Sequence, residues 1–149
     1  MPTLGRQVKL APVKLLMRAL LAIVAVLLAF GGVTWFALEG HDVAILRTRA
    51  ADGTVRETHV WVADSDGVLF VEAATPARAW LLEAEAQPEI ELVHRGATAR
   101  YRAVPEPGAE GHAKIRRLLR GKYGWADRWV ALLQDTSSSV AVRLEPSAR

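Results

Sequence analysis

The 149-residue chain contains no cysteine, which excludes disulfide staples, thiolate zinc sites and a cysteine nucleophile while leaving the redox compartment open. Histidine is scarce too. His41, His59, His94 and His112 are scattered, none at the i, i+4 spacing of a helical zinc pair, so no metal site is expected. There is no Gly-x-Ser-x-Gly elbow for a hydrolase, and Ser137, Ser138 and Ser139 read as a solvated turn before the last strand. A Walker or Rossmann glycine-rich loop is missing, as are internal repeats and low-complexity tracts. The body of the chain also lacks excess positive charge. The net charge is +3, yet Arg6, Lys9, Lys14 and Arg18 take four of the 19 basic residues, so residues 19–149 hold 15 basic against 16 acidic side chains. A nucleic-acid binder carries its positive excess on the recognition domain, where it replaces counterions along the phosphates, so no nucleic-acid partner is expected.

What is present in quantity is a hydrophobic run. Residues 19–38 carry no charge, and only Gly31, Gly32 and Thr34 interrupt the apolar series. Twenty helical residues rise roughly 30 Å, the thickness of a bilayer core, and no polar stripe marks a face that would point to solvent. Trp35 and Phe36 suit an interfacial aromatic belt, with Glu39 and Asp42 just beyond. A cleaved signal peptide is the rival reading. Its best site, Ala29-Phe30-Gly31, leaves seven more residues of the uncharged run through Leu38, and signal cores are normally shorter, which favours an uncleaved anchor. The expected organisation is a basic cytoplasmic flank at 1–18, a transmembrane helix at 19–38 and a folded domain at 39–149. The positive-inside rule then makes this a single-pass inner-membrane protein with its N-terminus in the cytoplasm and its domain outside.

After the anchor, short β-like runs alternate with turn signals. Val43 to Arg49, Val55 to Ala63 and Val68 to Ala73 read as three meander strands joined at Asp52-Gly53 and Asp66-Gly67. Thr75 and Pro76 then read as N-cap and first residue of a helix bearing Trp80, Leu81 and Ala84, ended by Pro88. Ile90 to His94 and Thr98 to Val104 read as strands around Arg95-Gly96, and Pro105-Glu106-Pro107-Gly108 as a breaker. Helical spacing follows from Glu110 to Lys122, closed by Gly121 or Gly124, and from Ala126 to Leu133, before a last strand from Ser139 to Leu144. Hairpins outnumber crossovers, so the expected class is α+β: a small antiparallel barrel of about six strands and two to three helices, with helices covering one opening.

Two groups of cations stand out. Lys114, Arg116, Arg117, Arg120 and Lys122 flank the apolar stripe of one helix, as a solvated face does; an anionic membrane surface or a phosphate-bearing ligand are the alternatives. Arg47 and Arg49 share one face of the first strand and Arg56 and Thr58 one face of the second. Across a tight hairpin these groups are placed to converge on a phosphate, for which a guanidinium offers a planar donor fork.

The stretch ILRTRAADGTVRETHVWVADSDGVLFVEAATPARAW is similar to the opening of the split β-barrel flavin-binding proteins, the pyridoxamine-phosphate-oxidase-like superfamily. It resembles most the deazaflavin-dependent nitroreductase-like branch and a related bacterial family of unassigned function. The matching pieces are Gly53 with Arg56 and Thr58, the loop Ala73 to Thr75 with Arg78, Trp80 at a helix start, and Gln87-Pro88-Glu89-Ile90. HAKIRRLLRGKYG, with Lys122 and Tyr123, is similar to the unassigned family's late helix. The resemblance covers about residues 42–146. It implies a dimeric split barrel that binds flavin mononucleotide or a deazaflavin, with Arg49, Arg56, Thr58, Thr75, Arg78 and Trp80 as cofactor-binding residues. Trp61 and Tyr123 would line the ring or substrate pocket. A membrane-anchored oxidoreductase acting on a quinone or other lipophilic acceptor follows; a cofactor-free binding or interaction module on the membrane is the alternative. The chain departs from the pattern at Arg49-Ala50-Ala51-Asp52-Gly53, which lacks the usual loop serine, and at His59, where proline is usual.

Overall fold

The computed structural model describes residues 11–39 and 42–147. Arg6, Lys9 and His41 of the sequence reading lie outside the described residues. The chain divides into two units, one through Trp35 and one from Phe36 onward. The first is the bulk of helix α1 (Ala11–Glu39); its Val13–Glu39 span is 27 residues, with a mean hydropathy of 2.4 over its most apolar 18, long and apolar enough to span a membrane. None of that most apolar stretch is buried, and Thr34 Oγ1 donates to the Phe30 carbonyl at 2.8 Å, so the helix's one hydroxyl is satisfied within it.

The second unit is a closed six-stranded antiparallel barrel in the order β1-β2-β3-β6-β5-β4. The strands are β1 (Val43–Arg49), β2 (Val55–Ser65), β3 (Val68–Ala73), β4 (Glu89–His94), β5 (Ala97–Glu106) and β6 (Val140–Pro146). Between them lie α2 (Ala79–Ala86), α3 (Ala109–Tyr123) and α4 (Trp125–Leu133). The expected strands and helices are all present. Two hairpins close through two-residue loops whose residues both take positive φ, Asp66-Gly67 (56° and 79°) and Arg95-Gly96 (51° and 79°), the geometry that matches strand twist. In the β1–β2 loop, Asp52 Oδ1 accepts from both the backbone and the hydroxyl of Thr54, at 2.9 and 2.7 Å.

Alternation sorts the side chains into two cores. Leu46, Val62, Val71, Leu92, Val142 and Leu144 point into the barrel, where Trp80, Leu81 and Ala84 of α2 close one opening. Phe70, Ala63 and Ala141 point outward from the same strands and pack under Ile115 and Leu119 of α3 and Ala126 of α4, with Ala37 from the last turn of α1. This wall is covered on both sides, which is why VLFVEA and VAV read as continuous apolar runs rather than alternating ones.

Four expectations need correction. Only α2 covers an opening; α3 lies against the barrel's outer wall. Its companion α2 starts at Ala79 with Arg78 at the N-cap, not at Thr75 and Pro76, because Arg78 N–H bonds to the Thr75 carbonyl and turns the chain once more before the helix begins. β5 runs through Pro105 to Glu106, pairing with β6, so the breaker begins two residues later. Ser139 is not solvated: it is 3% exposed, its hydroxyl 2.9 Å from His112 Nδ1.

Candidate functional site

β2 pairs with β1 from Val43–Trp61 to Arg49–Val55, but with β3 only from Val62 to Ser65. Among the described residues, the Val55–Trp61 stretch of β2 therefore has a strand partner on one side alone, and the wall splits there. A cavity of about 230 Å³ opens at the split. Thr58, Val60 and Trp61 enter it from β2, Glu72 and Ala74 from β3 and the turn after it, Arg78 and Trp80 from the start of α2, and Arg116 and Asp127 from α3 and α4.

Of the sequence-predicted residues, the cavity gathers Thr58, Trp61, Arg78 and Trp80. Arg78 is exposed and has no carboxylate within ion-pair distance among the described residues, so its guanidinium is available to a ligand. Trp61 is held in place: its ring stacks on Tyr123 with centroids 4.5 Å apart, and its Nε1–H donates to the Leu38 carbonyl at 3.2 Å. Trp80 is 4% exposed and shared with the barrel core.

The remaining residues are elsewhere. The register sets Thr48 opposite Arg56 and Leu46 opposite Thr58, while Arg47 faces Glu57 and Arg49 faces Val55. Cross-strand partners share a face, so the two pairs expected to converge lie on opposite faces of the hairpin. Arg49 lines a second cavity of about 450 Å³ with Arg47, Arg100, Glu89 and Glu91. Arg56 is occupied: its Nε donates to Glu83 Oε1 at 2.8 Å, while Thr48 Oγ1 donates to Glu83 Oε2 at 2.6 Å. Burial opposes ionisation of Glu83, but the hydrogen bonds from Thr48 and Arg56 outweigh it and keep the carboxyl below its ordinary range. Thr75 lines neither cavity.

Tyr123 also lies outside both cavities, 3% exposed. Its hydroxyl accepts from the Val62 N–H at 3.1 Å and donates to the Asp42 carbonyl at 2.8 Å, with the Val62 carbonyl at 2.9 Å. Burial pushes its pKa up to about 12. Beside it Lys122 Nζ reaches Asp42 Oδ2 at 2.8 Å. Asp42 also takes Arg95 Nη2 at 2.7 Å and lies 2.7 Å from His94 Nε2. The Lys-Tyr pair thus ties the end of α3 to β2 and to the entry of β1.

Sequence reading missed the strongest polar feature of the cavity. Arg116, expected on a solvated face, is drawn between Glu72 (3.0 Å) and Asp127 (2.6 Å). All three are buried or nearly so, with side-chain exposures of 12%, 12% and 2%. Burial pulls the Arg116 pKa down, but the two carboxylates more than offset it and the guanidinium stays charged. A weak signal existed: Glu72 interrupts an apolar strand, and Asp127 stands in the first turn of α4, where the helix dipole favours an anion. The cavity wall carries Glu39, Glu72 and Asp127 against Arg78 and Arg116, a slight anionic excess.

No family model and no curated protein matches this sequence. Solved structures do match. A conserved hypothetical protein from Mycobacterium tuberculosis is similar over 79% of this chain and 80% of its own, at 16% identity and a TM-score of 0.58. An F420 reductase is similar over 76% and 93% (21% identity, TM-score 0.52), and an FAD-binding protein from Mesorhizobium loti over 75% and 86% (17%, 0.53). With its closed six-stranded antiparallel barrel and these likenesses, the chain has the split-barrel fold of the pyridoxamine-phosphate-oxidase-like proteins.

Proposed function

We propose that this chain is a membrane-anchored protein that binds a flavin-type cofactor, flavin mononucleotide or a deazaflavin, at the split of its barrel and reduces a lipophilic acceptor such as a quinone. The observation that carries the reading is the meeting of Thr58 and the unpaired Arg78 with Trp61 and Trp80 in one cavity. The guanidinium and the hydroxyl are donors of the kind a phosphate takes, and the indoles offer flat apolar walls to a ring system. When bound, such a ring supplies the hydride or electron transfer itself. Thr58 and Arg78 would fix its phosphate, and Trp61, braced by Tyr123, would orient the ring. The fit is incomplete: Arg56 is committed to Glu83, and Arg49 belongs to the other cavity. At about 230 Å³ the cavity is also smaller than the ~300 Å³ at which small-molecule sites begin. A homodimer in which a second copy completes the site supplies the missing volume. No metal takes part in this scheme.

The Arg56–Glu83 pair and the carboxylates on the wall favour a second reading, a cofactor-free binding module on the membrane. Titrating the purified full chain in detergent with flavin mononucleotide and with deazaflavin, followed by visible absorbance, separates the two. Binding that weakens about tenfold in Arg78→Gln supports the first reading, since a charge-assisted bond contributes about 1.5–3 kcal/mol. Folded protein that binds neither compound leaves the second. The proposed topology, an inner-membrane anchor with the N-terminus inside and the barrel outside, is tested by a reporter fused after residue 149; a cytoplasmic signal overturns it.

A further inference from the structure

On α4, Trp125, Trp129, Leu132 and Leu133 recur at helical spacing along one face. Three of them point outward, Trp125 at 49%, Leu132 at 80% and Leu133 at 51% exposure, while Trp129 is half-buried against the core and Ala126 and Asp127 are buried. Phe36, in the last turn of α1 and itself 56% exposed, stacks on Trp125 with its ring at 8° and 6.2 Å. Large apolar side chains gathered on one exposed face, rimmed by polar residues, mark an interaction surface. The surroundings identify what covers it. Phe36 belongs to the apolar stretch that is long enough to cross a bilayer, three residues before its end at Glu39. Arg120 and Arg128 flank the Gly124 corner, exposed and without a carboxylate within ion-pair distance among the described residues, as is Arg117 one turn earlier. Outward tryptophan and leucine with flanking arginines is the composition of a helix lying in the headgroup region of an anionic bilayer.

We infer that α4, together with Phe36, is a membrane-surface contact: its Trp125–Leu133 stripe enters the headgroup boundary of an anionic phospholipid bilayer. The inference rests on the membrane-anchoring part of the proposed function, not on the cofactor. Such a contact sets the barrel at a defined height on the surface rather than leaving it to swing on the anchor. It also explains why Arg117 and Arg120 stay unpaired when Arg116, Lys114 and Lys122 of the same helix all have acidic partners.

The cysteine-free chain is suited to the test. Single variants Leu132→Cys, Leu82→Cys and Leu27→Cys of the full chain are labelled with an environment-sensitive fluorophore. Each is reconstituted in nanodiscs of phosphatidylcholine and phosphatidylglycerol at about 3:1. Leu82 is an exposed leucine on α2, outside the stripe, and Leu27 lies mid-way along the apolar run. The label at 132 should be quenched by doxyl-labelled lipid and be about fivefold less accessible to aqueous iodide than the label at 82, as expected for a face about 5–10 Å deep. Arg120→Gln/Arg128→Gln in the 132 background should restore iodide access in part. Equal iodide quenching at 132 and 82, with 27 in lipid, overturns the inference while the anchor stands. Shielding of 132 from both quenchers assigns the stripe to a protein partner and overturns it as well. Failure of lipid quenching at 27 removes the anchor and the inference with it.

Discussion

Removing the guanidinium of Arg116 tests the polar heart of the cavity. At an effective dielectric of about 20, an ion pair near 3–4 Å is worth about 4–5 kcal/mol before desolvation is charged against it. Arg116 has two such partners, Glu72 at 3.0 Å and Asp127 at 2.6 Å, and Asp127 is 2% exposed. Arg116→Met keeps most of the side-chain volume and leaves two carboxylates facing each other without a cation. Truncating one partner of a buried pair costs about 3–5 kcal/mol, and with two carboxylates left uncompensated this variant should lose about 4 kcal/mol. Glu72→Gln leaves Arg116 and Asp127 as a balanced pair and should cost only about 1 kcal/mol. For a barrel of this size about 4 °C of Tm accompanies each kcal/mol, so the two variants should melt about 16 °C and about 4 °C below the parent. Replacing all three together, Glu72→Leu/Arg116→Met/Asp127→Leu, should recover most of the loss, because no buried charge is left unpaired. The assay is thermal unfolding of the full chain in detergent, followed by circular dichroism. The reasoning is refuted if Arg116→Met melts as high as Glu72→Gln, since the asymmetry between them follows directly from the geometry.

Three other perturbations have equally definite outcomes. Asp42 is held well below the usual carboxylate range, chiefly by Arg95 and further by Lys122 and His94; its stabilisation is full above its ordinary value of 3.8 and fades as the pH drops below that. Asp42→Asn should therefore cost about 2 kcal/mol in urea unfolding at neutral pH, with the gap to the parent narrowing at pH 3. Tyr123 is raised from 10.0 to about 12, so its contribution holds below pH 10 and disappears as the pH rises through that interval. Tyr123→Phe should lose about 1–3 kcal/mol at neutral pH and show a flatter alkaline limb; a limb as steep as the parent's would assign alkaline unfolding to other groups. A methyl group on Gly111 would stand 1.9 Å from the Glu106 carbonyl oxygen, so Gly111→Ala should force α3 off the end of β5 at a cost of about 3 kcal/mol. An unchanged melting temperature would contradict that close approach.

The local elements were legible because their determinants are local. Asp66-Gly67 and Arg95-Gly96 specify tight hairpins whatever surrounds them, and a long uncharged apolar run announces a helix by length alone. Ends were less secure: Thr75-Pro76 has the signature of a helix start, but a backbone bond from Arg78 to Thr75 extends the turn and delays the helix to Ala79. For the candidate site, Thr58, Trp61, Arg78 and Trp80 could be named in advance and do meet at the split. Arg56 could be named but not its capture by Glu83, 27 residues along the chain.

The sequence by itself determined the periodicities: an unbroken hydrophobic helix, six alternating or doubly apolar strands, and the turn residues that join them, because each depends on neighbours within a few positions. Only the tertiary structure decided which charges are spent and which are free. Arg47 and Arg49 part from Arg56 and Thr58 because strand register sends alternate side chains to opposite faces. Arg116 is buried between Glu72 and Asp127 while Arg117, the next residue, faces solvent. A cation's availability depends on where distant carboxylates arrive when the barrel closes, and no spacing along the chain encodes that.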